Sequence, residues 1–509
     1  MIDTKALRQK ILDMAIKGQL VPQDPNDEPA SVLLERIREE KQRLIKEGKI
    51  KKDKNDSVIF KGDDNRYYEN LPSGWSVSTL SQITSSQLLN DGDWILSENM
   101  VPNGDVKLIQ LGSIGLMRYI DKGFKYLTED TFRELSCVQI FSGYMLINRI
   151  ISDKMYACIL PQLDGKLITT VDTCWIAPKD EWYNLKYLMY FISSTTFQSI
   201  VLHVSSGTTR KRISKSDLIH LPICFPPLSE QQRIVSRIEE LFAQIDIIDQ
   251  NQADIDNLYE EFRKRTLTLA IQGKLVPQDP NDEPASVLLE RIRAEKKAKL
   301  GKKYVDSYIY KGDDNCYYEK VGEIVTDISN EIPFDIPNSW CWARLKDITH
   351  NHGQKIPNAA FSYIDIGSID NINQKLSAQE SIIEPEKAPS RARKIVGRGD
   401  VLYATVRPYL HNMCIVEKDF SHEPIASTGF AVLAVERGIK NTFLFYYMLS
   451  PIFDQYANSS ENSRGVAYPA INDDKLYKAL IPIPPQNEQQ NICKLIDKCF
   501  NVFMLKDEG

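Results

Sequence analysis

The sequence predicts a mixed α/β chain in which two α/β domains are separated by two long antiparallel helices, a coiled coil with pseudo-twofold, cyclic repeat organisation. Three observations lead there. One long block of sequence occurs twice, an unbroken heptad pattern runs through the middle of the chain, and two long segments of mixed strand and helix character lie between the repeated parts.

At 509 residues the chain exceeds one ordinary core, so at least two domains are expected. No apolar run is long enough to span a bilayer, and the first ten residues are polar and helix-prone without a signal-peptide core. The nine cysteines are scattered, odd in number and free of any CxxC pair. That usage suits a reducing cytoplasm and argues against a disulfide scaffold or a zinc ribbon. The net charge of −6 leaves any polyanion binding to local basic patches.

The repeat comes first. Residues 20–38 read LVPQDPNDEPASVLLERIR, and residues 275–293 read the same, 255 positions later. Lys61-Gly62-Asp63-Asp64-Asn65 recurs at Lys311-Gly312-Asp313-Asp314-Asn315, and Leu71-Pro72-Ser73-Gly74-Trp75 resembles Ile336-Pro337-Asn338-Ser339-Trp340. Pro226-Pro227-Leu228-Ser229-Glu230-Gln231-Gln232 answers Pro484-Pro485-Gln486-Asn487-Glu488-Gln489-Gln490. Between these anchors, segments 75–222 and 340–482 diverge, with sparse echoes such as Leu111-Gly112-Ser113-Ile114 against Ile366-Gly367-Ser368-Ile369. Shared framing around divergent interiors describes one scaffold carrying two different readers.

The central helix is predicted from Ser229, a capping residue after Pro226-Pro227, to Gly273. Its seam runs through Ile234, Ile238, Leu241, Ile245, Ile248, Gln252, Ile255, Tyr259, Phe262, Thr266 and Leu269 in alternating steps of four and three. Gln252 is a polar seam residue of the kind that fixes register. The same helix recurs in two pieces at the chain ends. Ile492 and Ile496 match the first half of the seam; Leu7, Ile11 and Met14 match the second. The chain therefore reads as two copies of a cyclic unit opened inside one helix, with the central helix packed antiparallel on a composite of the two termini. The predicted boundaries are 1–18 for the N-terminal helix piece, 19–74 for a linker with a short charged helix, 75–226 for the first domain, 227–273 for the central helix, 274–339 for the second linker with its charged helix, 340–484 for the second domain and 485–509 for the C-terminal helix piece.

Within the divergent domains, β-branched and aromatic runs at 144–147, 167–171, 400–406 and 430–435 read as strands, and 185–200 and 440–456 read as helices. Candidate polyanion contacts are local. Ser206, Thr208, Thr209, Arg210, Lys211 and Arg212 form one cluster, Arg464 and Tyr468 its counterpart, and Arg391 and Arg393 another; Arg149 with Lys154, and Arg407 with Tyr409, sit in loops. Hydroxyls, lysines and arginines suit phosphate oxygens, and arginine can bond guanine bidentately. No glycine-rich phosphate loop, GxGxxG, Asn/Asp-Pro-Pro-Tyr or PD…(D/E)xK motif is present, so no catalytic or cofactor site is expected. His350 and His352 form an HxH without cysteine or carboxylate neighbours at metal spacing, and no metal site is expected.

The stretch from Pro226 to Val235, its twin from Pro484 to Ile492, and the sequence Ala270-Ile271-Gln272-Gly273-Lys274-Leu275-Val276-Pro277-Gln278 with its twin at 15–23 resemble the specificity subunits of type I restriction–modification systems. The two-fold layout extends that resemblance over nearly the whole chain. One departure is that Asn491 and Lys494 stand where the first copy has Arg233 and Ser236. The resemblance implies a non-catalytic DNA-recognition subunit with two target-recognition domains, each reading half of a bipartite, asymmetric double-stranded DNA site across a gap. It implies assembly in the cytoplasm, for phage defence, with two methyltransferase subunits and with ATP-dependent restriction (translocase and endonuclease) subunits. S-adenosylmethionine, ATP and magnesium would then belong to those partners. The alternative, from a different functional class, is a non-enzymatic coiled-coil scaffold with two protein-binding domains. Salt-dependent DNA binding distinguishes the two.

Overall fold

The computed structural model describes residues 2–51, 68, 70–207, 210–464 and 469–504. The chain divides into two compact units, Met1–Gln252 and Ala253–Gly509. The 44-residue helix Leu228–Ile271 carries the chain from one to the other. At 1.5 Å rise per residue it is about 65 Å long.

Each unit is built in layers, and the alternation of side chains along two central strands shows why. In the first unit Met145–Asn148 and Thr173–Ile176 are buried at every position. Met145, Ile147, Cys174 and Ile176 face a core shared with the helices Leu185–Ile192 and Thr195–Val204. Leu146 and Trp175 face the opposite way, into a second core with Ile109, Ile140 and Leu167. A period of two with both faces covered produces a continuous apolar run rather than an alternating one. The second unit repeats the arrangement. Val401, Tyr403, Ala431 and Leu433 pack toward the helices Asn441–Met448 and Pro451–Asn458, while Leu402, Ala404, Phe430 and Val432 pack toward Ile364, Ile369 and Ala426.

The duplication survives where the sequence no longer shows it. One sheet of the first unit is ordered Leu89–Asp91, Thr173–Ile176, Met145–Asn148, Ala157–Ile159, all antiparallel. The second unit orders Thr349–His350, Phe430–Val435, Val401–Ala404 and Met413–Ile415 in the same way. In the other sheet Val106–Ile109 lies between antiparallel Phe124–Leu127 and parallel Lys166–Ile168. Its counterpart Phe361–Ile364 lies between antiparallel Ser381–Ile383 and parallel Glu423–Ser427, and Ala392–Ile395 is added at the edge.

A short antiparallel pair closes each unit: Ser76–Thr79 on Pro222–Phe225, and Cys341–Arg344 on Leu480–Ile483. The entry and exit of each divergent segment are thereby held side by side at the start of a helix. The repeated motifs meet there. Glu230 and Gln231 are buried, as are Glu488 and Gln489. Gln231 accepts the Asn184 amide (2.9 Å) and donates to the Pro226 carbonyl (3.0 Å); Gln489 does the same with Lys440 (2.8 Å) and Pro484 (3.0 Å).

Within each unit a terminal helix runs antiparallel to its half of the long helix. In the first, Arg8 on Thr4–Ile16 pairs with Asp246 (2.7 Å) and Asp249 (3.0 Å), and the Ile2 amide donates to Gln252 Oε1 at 2.7 Å. In the second, Ile492 and Ile496 on Gln486–Met504 are buried with Leu267 and Ala270, and the Arg263 guanidinium lies 4.9 Å from the Phe500 ring centre. Ile234, Ile238 and Ile245 are buried, and Leu241, Ile248, Gln252, Tyr259 and Leu269 are half-buried. Ile255 is 44% exposed and Phe262 38% exposed. On the short helix Ile11 is buried, Met14 half-buried and Leu7 exposed. The apolar stripe is thus deepest at its two ends. There it enters the cores of the units themselves, as Ile234, Ile238 and Ile245 do in the first.

Candidate nucleic-acid interface

The structure brings together basic clusters that lie far apart in sequence. In the first unit, strand Met145–Asn148 ends in an eight-residue loop before Ala157–Ile159. Within it, Ile150 and Ile151 pair antiparallel with Arg212 and Lys211. The described residues of the basic cluster make this pairing, with Ser206 bridged to Arg212. The Ser206 amide donates to the Arg212 carbonyl (3.0 Å) and the Arg212 amide to the Ser206 carbonyl (2.8 Å). Gly207, at φ +107°, permits the reversal, because a Cβ there would stand 2.4 Å from the Arg210 carbonyl oxygen. Ser206, Arg210 and Lys211 are exposed, and Lys154 and Arg212 are half-buried. Arg212 is paired with Asp172 at 2.8 Å. Thr208 and Thr209 lie outside the described residues.

Arg149 departs from the surface contact expected of it. It is buried, its guanidinium donates to the carbonyls of Val171 and Ile213, and Asp91 stands 3.6 Å away. This arginine ties the loop, the hairpin and the first strand of the sheet together from inside. Lys215 completes that junction by donating to Asn90 (2.6 Å) and Asp91 (3.0 Å), a role with no signal in the sequence.

The second unit has the same construction. Eight residues separate Val401–Ala404 from Met413–Ile415. Val406 bridges to Ala470, and the Arg407 amide donates to the Pro469 carbonyl at 2.7 Å. The hairpin here is Ser463–Arg464 on Ala470–Ile471, with Arg464 exposed. Tyr468 lies outside the described residues. Tyr409 is exposed at the loop tip and Arg407 is half-buried. Arg391 is exposed and Arg393 half-buried, on and beside strand Ala392–Ile395. That strand joins the site through the buried Lys394, which reaches Asp473 at 3.3 Å just past the hairpin. The equal loop lengths are the sequence signal that could have revealed the correspondence, since the two loops and their flanking strands are offset by a constant 256 residues.

His350 and His352 have carboxylate neighbours after all, supplied by the fold rather than by spacing. His350 Nδ1 is 3.1 Å from Glu436 and His352 Nε2 is 3.0 Å from Asp400. Among the described residues no group of three or more His, Cys, Asp or Glu side chains could hold a metal ion. No helix among them is long and apolar enough to cross a membrane.

An α/β unit duplicated in topology, with a loop and hairpin presented twice on different side chains, defines a class of chain in which one scaffold carries two different surfaces. This chain belongs to the family of the type I restriction modification DNA specificity domain, which matches residues 72–257 and 337–507. It is similar to the type I restriction enzyme EcoAI specificity subunit of Escherichia coli, with 28% identity over 563 aligned residues covering 97% of this chain and 88% of that one. The EcoEI specificity subunit of Escherichia coli is 26% identical over 558 residues, covering 98% and 89%. A chain solved in work on complex assembly and conformational transition of the type I R-M system shares the fold, with a TM-score of 0.53 at 18% identity over 86% of this chain and 94% of that one.

Proposed function

We propose that this chain is the non-catalytic DNA-recognition subunit of a type I restriction–modification complex. Each unit reads one half of a bipartite, asymmetric double-stranded DNA site, and the chain directs two methyltransferase subunits and the restriction subunits to it. The observation that carries this reading is the pair of topologically matched loop–hairpin elements. One exposes Arg210 and Lys211 beside the half-buried Lys154, and the other exposes Tyr409 and Arg464 beside the half-buried Arg407. The same scaffold with different exposed chemistry is what reading two unlike half-sites requires. Phosphate contacts from the lysines and arginines set position, and side chains that reach base edges set sequence.

S-adenosylmethionine, ATP and magnesium are assigned to the partner subunits. The adenine or other base to be methylated must leave the stack, a task for the partner that carries the methyl donor. The working place of such a complex is the cytoplasm, where it acts in phage defence. The test is methylation mapping in cells that express this chain with its methyltransferase. A two-part motif with a fixed gap is the expected result, and methylation without a two-part motif would overturn the reading. Methyl transfer or cleavage by the purified chain, free of any partner by mass spectrometry, would overturn its non-catalytic part.

A further inference from the structure

The two eight-residue loops occupy the same place in the two units, after the same strand and against the same hairpin, yet they are built differently. In the first unit none of the described loop residues has a positive φ, and the exposed Asp153 accepts the Tyr156 hydroxyl and the Ser152 hydroxyl, each at 2.9 Å. In the second unit Arg407 and His411 both sit at φ 50°, in the left-handed region where a side chain crowds its own backbone. Between them Pro408–Leu410 makes a single 3-10 turn.

Several contacts hold that turn. The Arg407 backbone amide donates to the Pro469 carbonyl at 2.7 Å, the Asn371 side-chain Nδ2 donates to the Leu410 carbonyl at 3.0 Å, and His411 Nε2 lies 3.1 Å from Asp454. Pro408 is buried and Leu410 half-buried, whereas Tyr409 is 48% exposed. Two strained non-glycine residues, over-determined by their surroundings, therefore present one large aromatic ring to solvent. Strain kept at a surface turn points to function at that turn, because glycine or asparagine would relieve it.

We propose that Tyr409 is a specificity-determining residue for the half-site read by the second unit, its ring held by the strained turn against a base edge in a DNA groove. The inference rests on the DNA-recognition role proposed above. A ring on a rigid turn gives up little freedom on binding, and an apolar ring face suits the methyl-bearing edge of thymine. Arg464, exposed on the hairpin that clamps the loop, supplies charge for the neighbouring phosphates. At the matching tip of the first unit stands Asp153, a hydrogen-bond acceptor, which fits a reader of different bases.

The experiment compares the wild-type complex with complexes carrying Tyr409→Ala and Tyr409→Phe, by methylation mapping across a genome. Wild type should give one two-part motif. Tyr409→Ala should lower the preference at one or two adjacent positions of one half-site by about ten-fold, with the other half and the gap unchanged. Tyr409→Phe, which keeps the ring, should retain the wild-type preference. An unchanged motif in the alanine variant would overturn the proposal, as would a uniform fall in methylation at all sites or a phenylalanine variant as relaxed as the alanine one. A wild-type complex with no two-part motif would overturn the DNA-recognition role as well, so the two failures are distinguishable.

Discussion

The indole nitrogen of Trp75 donates to Oε2 of Glu230 at 2.9 Å, 155 residues along the chain, and Trp340 makes the same 2.9 Å bond to Glu488. Glu230 also accepts from Gln23 (3.0 Å), and Glu488 from Gln278 (2.6 Å). One exposed glutamine from the repeated block, one buried tryptophan at the entry of the divergent domain and one buried glutamate from the helix start thus form a triad in each unit. The triad fixes how the two ends of each reader join the helix.

Removing one partner of a buried, charge-assisted bond leaves the other unsatisfied. Glu230→Ala should therefore lower unfolding stability by about 2 kcal/mol, measured by urea denaturation followed by circular dichroism. Burial pushes the Glu488 carboxyl up from its ordinary value. Glu488→Gln keeps an acceptor for Trp340 without the charge and should cost much less than Glu488→Ala. Equal costs for the two Glu488 variants would contradict this account of the triad.

Two residues past the end of the long helix lies Gly273, at φ +68°, where a Cβ would stand 2.4 Å from Cγ of Pro337 and 3.2 Å from the Trp340 ring. Gly18 repeats this against Pro72 and Trp75, with a Cβ 2.3 Å from the proline ring. Neither a proline ring nor a buried tryptophan can give way cheaply. Gly273→Ala should destabilise the chain by about 2 kcal/mol or more, from left-handed strain plus the clash. A melting temperature equal to wild type would show that the turn after the helix relaxes there.

Asp347 sits beside Ser307, and burial raises its carboxyl from 3.8 to about 6, against the opposing pull of Lys346 and Lys296. A raised carboxyl pKa means that the folded state holds the proton more tightly than the unfolded one. This contribution is complete below about pH 3.8 and is lost as pH rises through about 6. Asp347→Asn should therefore gain on wild type as pH rises from 4 to 7, by up to about 3 kcal/mol. Thermal unfolding across that pH range checks it, and parallel curves for the two proteins would contradict it.

Arg210 and Lys211 are exposed at the hairpin, while Arg212 is engaged with Asp172. Replacing all three by alanine should weaken DNA binding by the assembled complex and reduce the slope of log K against log salt by about 0.9 for each phosphate no longer neutralised. Assembly with the partners should persist. An unchanged slope would make the cluster an ordinary solvated surface.

How much of this was legible in sequence differs by the kind of interaction. The repeated block, the Glu-Gln-Gln motifs and the glycines at the helix ends announced themselves, because the same local demands are written twice. Gln252 was legible as a polar position on the seam, and it bonds the Ile2 backbone. The domain interiors were harder. Strands such as Met145–Asn148, covered on both faces, show no alternation and resemble any short apolar run. Arg149 was misplaced because its partners, Asp91, Val171 and Ile213, come from three distant segments that only the folded sheet assembles. The pairing of residues 150–151 with 211–212 is equally long-range, so two clusters that form one element looked like two.

The most direct test exchanges segment 76–222 for the corresponding segment of another family member, keeping Trp75, Glu230 and the repeated block in place, and maps methylation by the complex. One half of the two-part motif should change while the other half and the gap stay as they were. A change in both halves together, or in the gap alone, would contradict the claim that each unit reads its own half-site.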